Sequence, residues 1–133
     1  MFLGKLNQEE KANFLELVYK IANIDQNYAD EEKELIDAYK IEMGLSEVTN
    51  KKNIHQLVDF FSRTSIEVQK IVWFELINLI CADAVIADEE QDIINMINEK
   101  FQLPDRTLKK IEEAMIEWHT AFQKVCQATL SEE

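Results

Sequence analysis

Two stretches of this sequence decide the fold: Ile21–Ile36, which reads IANIDQNYADEEKELI, and Leu79–Ile94, which reads LICADAVIADEEQDII. Sliding the first stretch along the chain until Asp25 falls on Asp83 also aligns the ADEE runs of the two stretches. In each stretch an apolar segment leads into acidic residues and then into a second segment with helical spacing. The pair predicts a duplicated helix-loop-helix unit with an acidic loop in each copy.

The composition of the 133-residue chain favours a single all-α domain over residues 1–133. Hydrophobic residues make up 47% of the chain, which is enough to build a core. Only two Gly and one Pro are present, whereas a sheet protein of this length needs many more turn residues. We therefore predict a compact bundle of six to seven helices.

The charge balance limits the partners that the chain can bind. Against 14 Lys and Arg it carries 26 Asp and Glu, which gives a formal net charge of −12. Such a surface repels phosphate backbones and favours cations and basic protein surfaces. The most apolar window, Ile71–Ile86, is interrupted by charged residues and is too short to span a bilayer. We predict a cytoplasmic protein with a protein partner, no nucleic-acid partner and no direct membrane insertion.

Apolar spacing divides the chain into helices. The first begins at Asn7 or Gln8, Asp30 opens the second with first-turn carboxylates, and Gly44 stops it. A polar connector at 46–53 separates the two repeats. The repeats span about 14–45 and 72–103, and the predicted helices cover about 8–22, 30–43, 53–62, 66–82, 88–101 and 105–130.

The last helix carries an apolar seam with the 3, 4, 3, 4, 3 spacing of a heptad repeat. We expect this seam to pack against the rest of the domain. The alternative, which the spacing leaves open, is a homodimer interface through the C-terminal helix. The seam consists of Leu108, Ile111, Met115, Trp118, Phe122 and Val125.

The acidic loops are candidate sites for a hard cation such as Ca²⁺ or Mg²⁺, which prefers clustered oxygen ligands. In each copy an Asp at the end of one helix precedes by seven residues a Glu in the first turn of the next. The loops are not EF-hands, because they lack alternating ligands and a central Gly. The alternative is that these carboxylates only cap helices. The candidate metal ligands are Asp25, Glu31, Glu32, Asp83, Glu89 and Glu90.

The run CADAVIADEE at Cys81–Glu90 resembles the acidic loop of the tellurite-resistance TerB-like family, and IDQNYADEE at Ile24–Glu32 resembles it more weakly. The resemblance extends over most of the chain, from about residue 14 to 103. It implies an all-helical domain of about seven helices with an internal pseudo-two-fold organisation. It also implies an accessory role in stress-response and membrane-linked complexes.

The same resemblance implies a divalent-cation site at Asp25, Asp83 and the paired Glu residues. This chain departs from the family pattern at the loop Gly, where Gln26 and Ala84 stand instead. A Gly there would allow a left-handed turn at little cost, so the departure bears on the geometry of both loops.

Other polar and aromatic residues fit structural roles. We expect Cys81 and Cys126 to be buried, reduced thiols, because they lack CxxC spacing. Glu75 interrupts an otherwise apolar helix, and we expect it at the rim, facing Lys70 or solvent. The alternative is a buried carboxylate beside the acidic loops, with a raised pKa. We expect a core position for the larger aromatic residues Trp73, Trp118, Phe60, Phe61 and Tyr39.

These patterns favour a non-enzymatic, TerB-like binding or sensing module that recruits a divalent cation or a basic partner through its acidic loops. Two alternatives stay open. One is a carboxylate-based, metal-dependent hydrolase, although the chain has no Glu-x-x-His pair. The other is a structural scaffold that dimerises through its last helix.

Overall fold

The computed structural model of the chain describes residues 1–24, 30–49, 51–80 and 88–130, without the side chains of residues 30–32. Within these ranges it contains helices and no strand, which confirms the all-α prediction. A short 3₁₀ helix occupies Leu3–Lys5. The α-helices in chain order are α1 (Gln8–Ala22), α2 (Asp30–Met43), α3 (Ile54–Ser62), α4 (Ile66–Ile80), α5 (Asp88–Lys100) and α6 (Asp105–Leu130).

The chain divides into two compact units, Met1–Gln102 and Leu103–Glu133. The first unit contains the 3₁₀ helix and α1 to α5, and the second contains α6. In the first unit α1 contacts α2, α3 and α4, whereas α4 contacts α1, α3 and α5. The two helices α1 and α4 therefore form its centre. The prediction of a single domain over 1–133 stays a prediction.

Helix α1 is buried over residues 13–18 and again at Ile21 and Ala22, where most of its apolar residues lie. Asn7 caps its first turn: the Asn7 side chain accepts from the Glu10 amide at 2.8 Å, and Glu10 accepts from the Asn7 amide in return. This capping box satisfies two of the amide groups that a helix start leaves open. The buried apolar residues of α1 are Phe14, Leu15, Leu17, Val18, Ile21 and Ala22.

Local signals set the ends of the neighbouring helices. Gly44 follows α2 with a φ of 69°, the left-handed conformation that Gly adopts without strain, which confirms the predicted stop. Asn53 and Gln56 form a second capping box at the start of α3. Ser65 accepts from the Val68 amide at 3.2 Å and so caps α4.

A buried carboxylate anchors the connector between α2 and α3. Glu16 of α1 is only 2% exposed and accepts hydrogen bonds from the Thr49 hydroxyl and the Lys51 amide, both at 2.9 Å. It also accepts from the Lys52 amide at 3.2 Å. Beside it, the Lys52 ammonium donates to the Asn13 side chain at 2.6 Å. These bonds replace the hydration that both carboxylate oxygens lose on burial.

Glu75 was predicted at the rim of α4, and this prediction is wrong, because the residue is 2% exposed. Its charge is compensated within the first unit: the α-ammonium of Met1 lies 3.0 Å from Glu75 and 2.9 Å from Glu42. Burial lowers the pKa of this ammonium, but its hydrogen bonds to the two carboxylates outweigh that effect and raise the pKa. The Tyr39 hydroxyl donates to the Glu75 carbonyl at 3.1 Å, and burial raises the pKa of Tyr39.

The role of Glu16 can be tested with Glu16→Gln. Gln replaces one carboxylate oxygen with an NH2 group, which cannot accept a hydrogen bond and would face at least one of the three donors. We therefore expect the free energy of unfolding to fall by about 1–3 kcal/mol. Urea unfolding followed by circular dichroism measures this change. The matched control is Glu34→Gln on the exposed side of α2, which should stay within about 0.5 kcal/mol of the parent. Equal effects of the two changes would contradict the anchoring role.

Candidate functional site

The predicted metal ligands fall mostly outside the part of the chain that the structure describes. Asp25 and Asp83 lie outside the described residues. Glu31 and Glu32 belong to the first turn of α2, but their side chains lie outside the description as well. The cation site at the acidic loops therefore stays a prediction.

The other two predicted ligands lie in the first turn of α5. Glu89 is exposed, as is the preceding Asp88, whereas Glu90 is buried with 6% exposure. Among the described residues, no group of three or more His, Cys, Asp or Glu is arranged to hold a metal ion. The carboxylates of this turn complement the positive end of the α5 macrodipole.

Helix α6 exposes several large apolar side chains to solvent. Trp118 is 50% exposed, Phe122 54% and Val125 59%. Three exposed alanines lie beside them on the same side of the helix, at spacings of three and four residues. We call this surface the α6 face and define it as Ala114, Trp118, Ala121, Phe122, Val125 and Ala128.

The two aromatic rings of the α6 face are already stacked on each other. The ring centroids of Trp118 and Phe122 are 5.6 Å apart and the ring planes differ by 9°. His119 places its ring edge-on to the indole, with centroids 5.1 Å apart and an interplanar angle of 74°. Residues four apart are neighbours on a helix surface, so the stacking of Trp118 on Phe122 needs no contribution from another helix. It restricts the rotamers of both rings while their outer surfaces remain open to solvent.

The structure corrects one prediction about the apolar seam of α6. Trp118 was expected in the core, and it is half-exposed. Packing of the seam against the rest of the domain, and the alternative of a homodimer interface, stay predictions. Met115 is buried, and Leu108 and Ile111 are half-buried, but the three seam residues after Met115 are exposed. Heptad spacing shows which residues share a face, and it is the same whether that face meets the same chain or another molecule.

Two charged residues border the α6 face. Glu117 immediately precedes Trp118, and Lys124 immediately precedes Val125, so the two charges lie seven residues apart on one edge of the face. Neither of them forms an ion pair with another described residue. Both are exposed. The face is thus apolar in its middle and carries both signs of charge along one border.

The two histidines, Cys126 and the aromatic residues expected in the core form no further site within the described ranges. His55 and His119 are exposed and lie in different helices. Cys126 is a free, half-buried thiol, so it is less buried than predicted, and Cys81 lies outside the described residues. The aromatic residues Trp73, Phe61 and Tyr39 are buried as predicted, and Phe60 is half-buried.

Comparison of the chain with protein-family models, with curated proteins and with solved structures found no match. None of the helices in the described ranges combines the length and the apolar character that a membrane span requires.

If the α6 face lies outside the core, its aromatic residue should contribute little to folding. We expect Trp118→Ala to change the free energy of unfolding by less than about 1 kcal/mol. The matched control is Trp73→Ala, because Trp73 is 5% exposed and its indole N–H donates to Asn98 at 2.9 Å. That change should cost about 3–5 kcal/mol. Urea unfolding at low protein concentration measures both, and a large loss in Trp118→Ala would contradict the assignment.

Proposed function

We propose that this protein is a non-enzymatic binding module that contacts another protein through the α6 face. The observation that carries the proposal is the pair of stacked, half-exposed rings of Trp118 and Phe122. Single exposed apolar residues are common on protein surfaces, but contiguous apolar patches mark interaction sites. Aromatic residues are also enriched in the well-packed centres of protein interfaces.

The energetics of the α6 face suit protein binding. Full burial of a Phe side chain contributes about 1.5–3 kcal/mol, and each half-exposed ring can recover part of that amount on binding. The stacked arrangement lowers the entropic cost, because each side chain loses about 0.5–1.5 kcal/mol when binding immobilises it from a mobile state. Val125 and the three alanines extend the apolar surface without adding flexible side chains.

We further propose that the first unit is a duplicated, TerB-like pair of helical hairpins. The shift that carries Asp25 to Asp83 also carries Gln8 to Ile66 and Ala22 to Ile80, so it converts the bounds of α1 into those of α4. The same shift carries Asp30, where α2 begins, to Asp88, where α5 begins. This agreement supports the duplication. The TerB-like resemblance then suggests an accessory role in a stress-response system.

A second candidate function is the binding of Ca²⁺ or Mg²⁺ by the acidic loops. The predicted ligands in the first loop are Asp25, Glu31 and Glu32, and those in the second are Asp83, Glu89 and Glu90. The exposed Asp88 and Glu89 carboxylates are the observation that favours it, because water and dissolved ions can reach them. The same carboxylates could instead attract a basic surface of the partner protein.

The binding proposal is tested by affinity capture from cells that produce the protein. The parent chain and the Trp118→Ala/Phe122→Ala variant serve as baits, and bound proteins are quantified by mass spectrometry. We expect at least one protein to be captured by the parent and lost with the variant. The matched control is Ile116→Ala, because Ile116 is 61% exposed but lies on roughly the opposite side of α6 from Trp118. Identical capture by all three baits would contradict the proposal.

The cation proposal is tested by calorimetric titration of the parent and of Asp25→Ala/Asp83→Ala with CaCl₂ and MgCl₂. We expect saturable binding by the parent and a loss of affinity of about tenfold or more in the variant, because each loop loses one charged ligand. The matched control is Asp37→Ala/Asp92→Ala, which removes two exposed carboxylates that are not among the predicted ligands. An absence of binding by the parent below millimolar metal would remove this function.

A further inference from the structure

We infer that the partner on the α6 face is a second copy of this chain, packed antiparallel around a two-fold axis near Ala121. The inference rests on the proposed function, because it assigns the occupant of the same surface. It is carried by three features of α6: the order of apolar residues, the position of the two border charges and the spacing of the alanines.

When two copies of α6 pack antiparallel, the apolar residues of one α6 face lie opposite the apolar residues of the other. In an antiparallel pair, a residue before the two-fold axis lies opposite the residue that is equally far after it. With the axis between Thr120 and Ala121, Trp118 lies opposite Phe122 of the second copy, to within one residue. By symmetry Phe122 lies opposite Trp118 of the second copy. The four rings then form one cluster at the centre of the contact.

The border charges select the antiparallel direction. Glu117 and Lys124 are equally far from this axis, one before it and one after it. Glu117 of each copy therefore lies opposite Lys124 of the other copy. Within one helix the two are about 10 Å apart along the helix and cannot pair. A parallel alignment would instead place Glu117 beside Glu117 and Lys124 beside Lys124. An antiparallel alignment moved by one heptad would bring the two Lys124 side chains together.

The alanines allow the two helices to approach closely. Ala114, Ala121 and Ala128 recur every seven residues on the side of the face that carries the charges. In the same arrangement Ala121 lies opposite Ala121 of the second copy, and Ala114 lies opposite Ala128 of the second copy, each to within one residue. Side chains at the contact set the interaxial distance, and small ones favour its lower end, at about 8 Å. Close approach would bring the Glu117 carboxylate within reach of the Lys124 ammonium of the second copy.

The expected dimer is weak. The contact covers residues 114–128 of each helix, a length of about 22 Å. Such a contact lies at the lower end of interface sizes, where transient complexes are found. The net charge of −12 on each copy also opposes association at low ionic strength. We expect a dissociation constant of about 10–100 µM.

Sedimentation velocity of the full chain from about 2 µM to about 500 µM tests the inference, since this range brackets the expected dissociation constant. The parent should change from monomer to dimer within this range. Glu117→Lys and Lys124→Glu should each weaken the dimer roughly tenfold, because two attractions become two repulsions. The double variant Glu117→Lys/Lys124→Glu restores both pairs, and its affinity should return to within about threefold of the parent.

Two further variants serve as controls. Trp118→Ala/Phe122→Ala should remain monomeric at every concentration, whereas Ile116→Ala should dimerise like the parent. Circular dichroism checks that each variant is folded, and the exposure of all five positions makes loss of the fold unexpected.

The outcomes separate this inference from the proposed function. If the parent chain stays monomeric at every concentration, the inference that a second copy binds the α6 face is overturned. A different protein that is captured through the α6 face would then be the partner. A dimer in which the double variant is no better than the single ones overturns the antiparallel arrangement. A dimer that survives the loss of both rings, together with unchanged capture, overturns the inference and the proposed function alike.

Discussion

The packing of α1 against α4 is the contact on which the first unit depends. Each of these helices touches the other, α3 and its own following helix, so the apolar residues of both are covered on several sides. Phe14, Leu17 and Val18 of α1 and Leu76 and Leu79 of α4 are fully buried. Burial of one such side chain contributes about 1.5–3 kcal/mol, so this pair of helices supplies a large part of the driving force for folding.

The same packing explains why polar groups lie inside the unit. A helix that is covered on several sides buries some of its polar positions as well, and each must then find a partner. Glu16 binds the connector, and Gln69 donates to the Ser62 and Thr64 carbonyls and accepts from the Gln102 amide. The buried polar residues thus attach loops to the central helices. Their positions are structural.

Sequence reasoning was most successful where a short local signal decides the structure. Capping residues such as Asn7 and the stop at Gly44 act within one helical turn, so the boundaries of the first helices could be predicted closely. It failed at Glu75 and Trp118. Periodicity identifies the residues that share a face, but what covers a face depends on contacts that are distant in sequence. Burial of Glu75 depends on an ammonium 74 residues away, and the spacing of Trp118 within α6 does not show whether its ring is covered.

Net charge and the α6 face act in opposite directions on the association of this chain. The excess of negative charge keeps separate copies apart at low ionic strength, and this repulsion limits aggregation through the exposed rings. At physiological ionic strength the Debye length is about 8 Å, so repulsion between whole molecules is largely screened. The apolar contact between rings is not screened, and a specific, weak dimer becomes possible. In the proposed dimer the charge pairs at the border select direction and register, and replacing either pair by like charges also lowers the affinity.

The most direct measurement of the central claim is the fluorescence of Trp118 as a function of protein concentration. The chain has two Trp residues, so Trp73→Phe leaves Trp118 as the only indole. Our account predicts emission typical of a partly exposed indole at low micromolar concentration, shifting to shorter wavelength as the rings become buried at about 100 µM and above. Emission that stays unchanged over this range, with the chain folded throughout, would contradict the account.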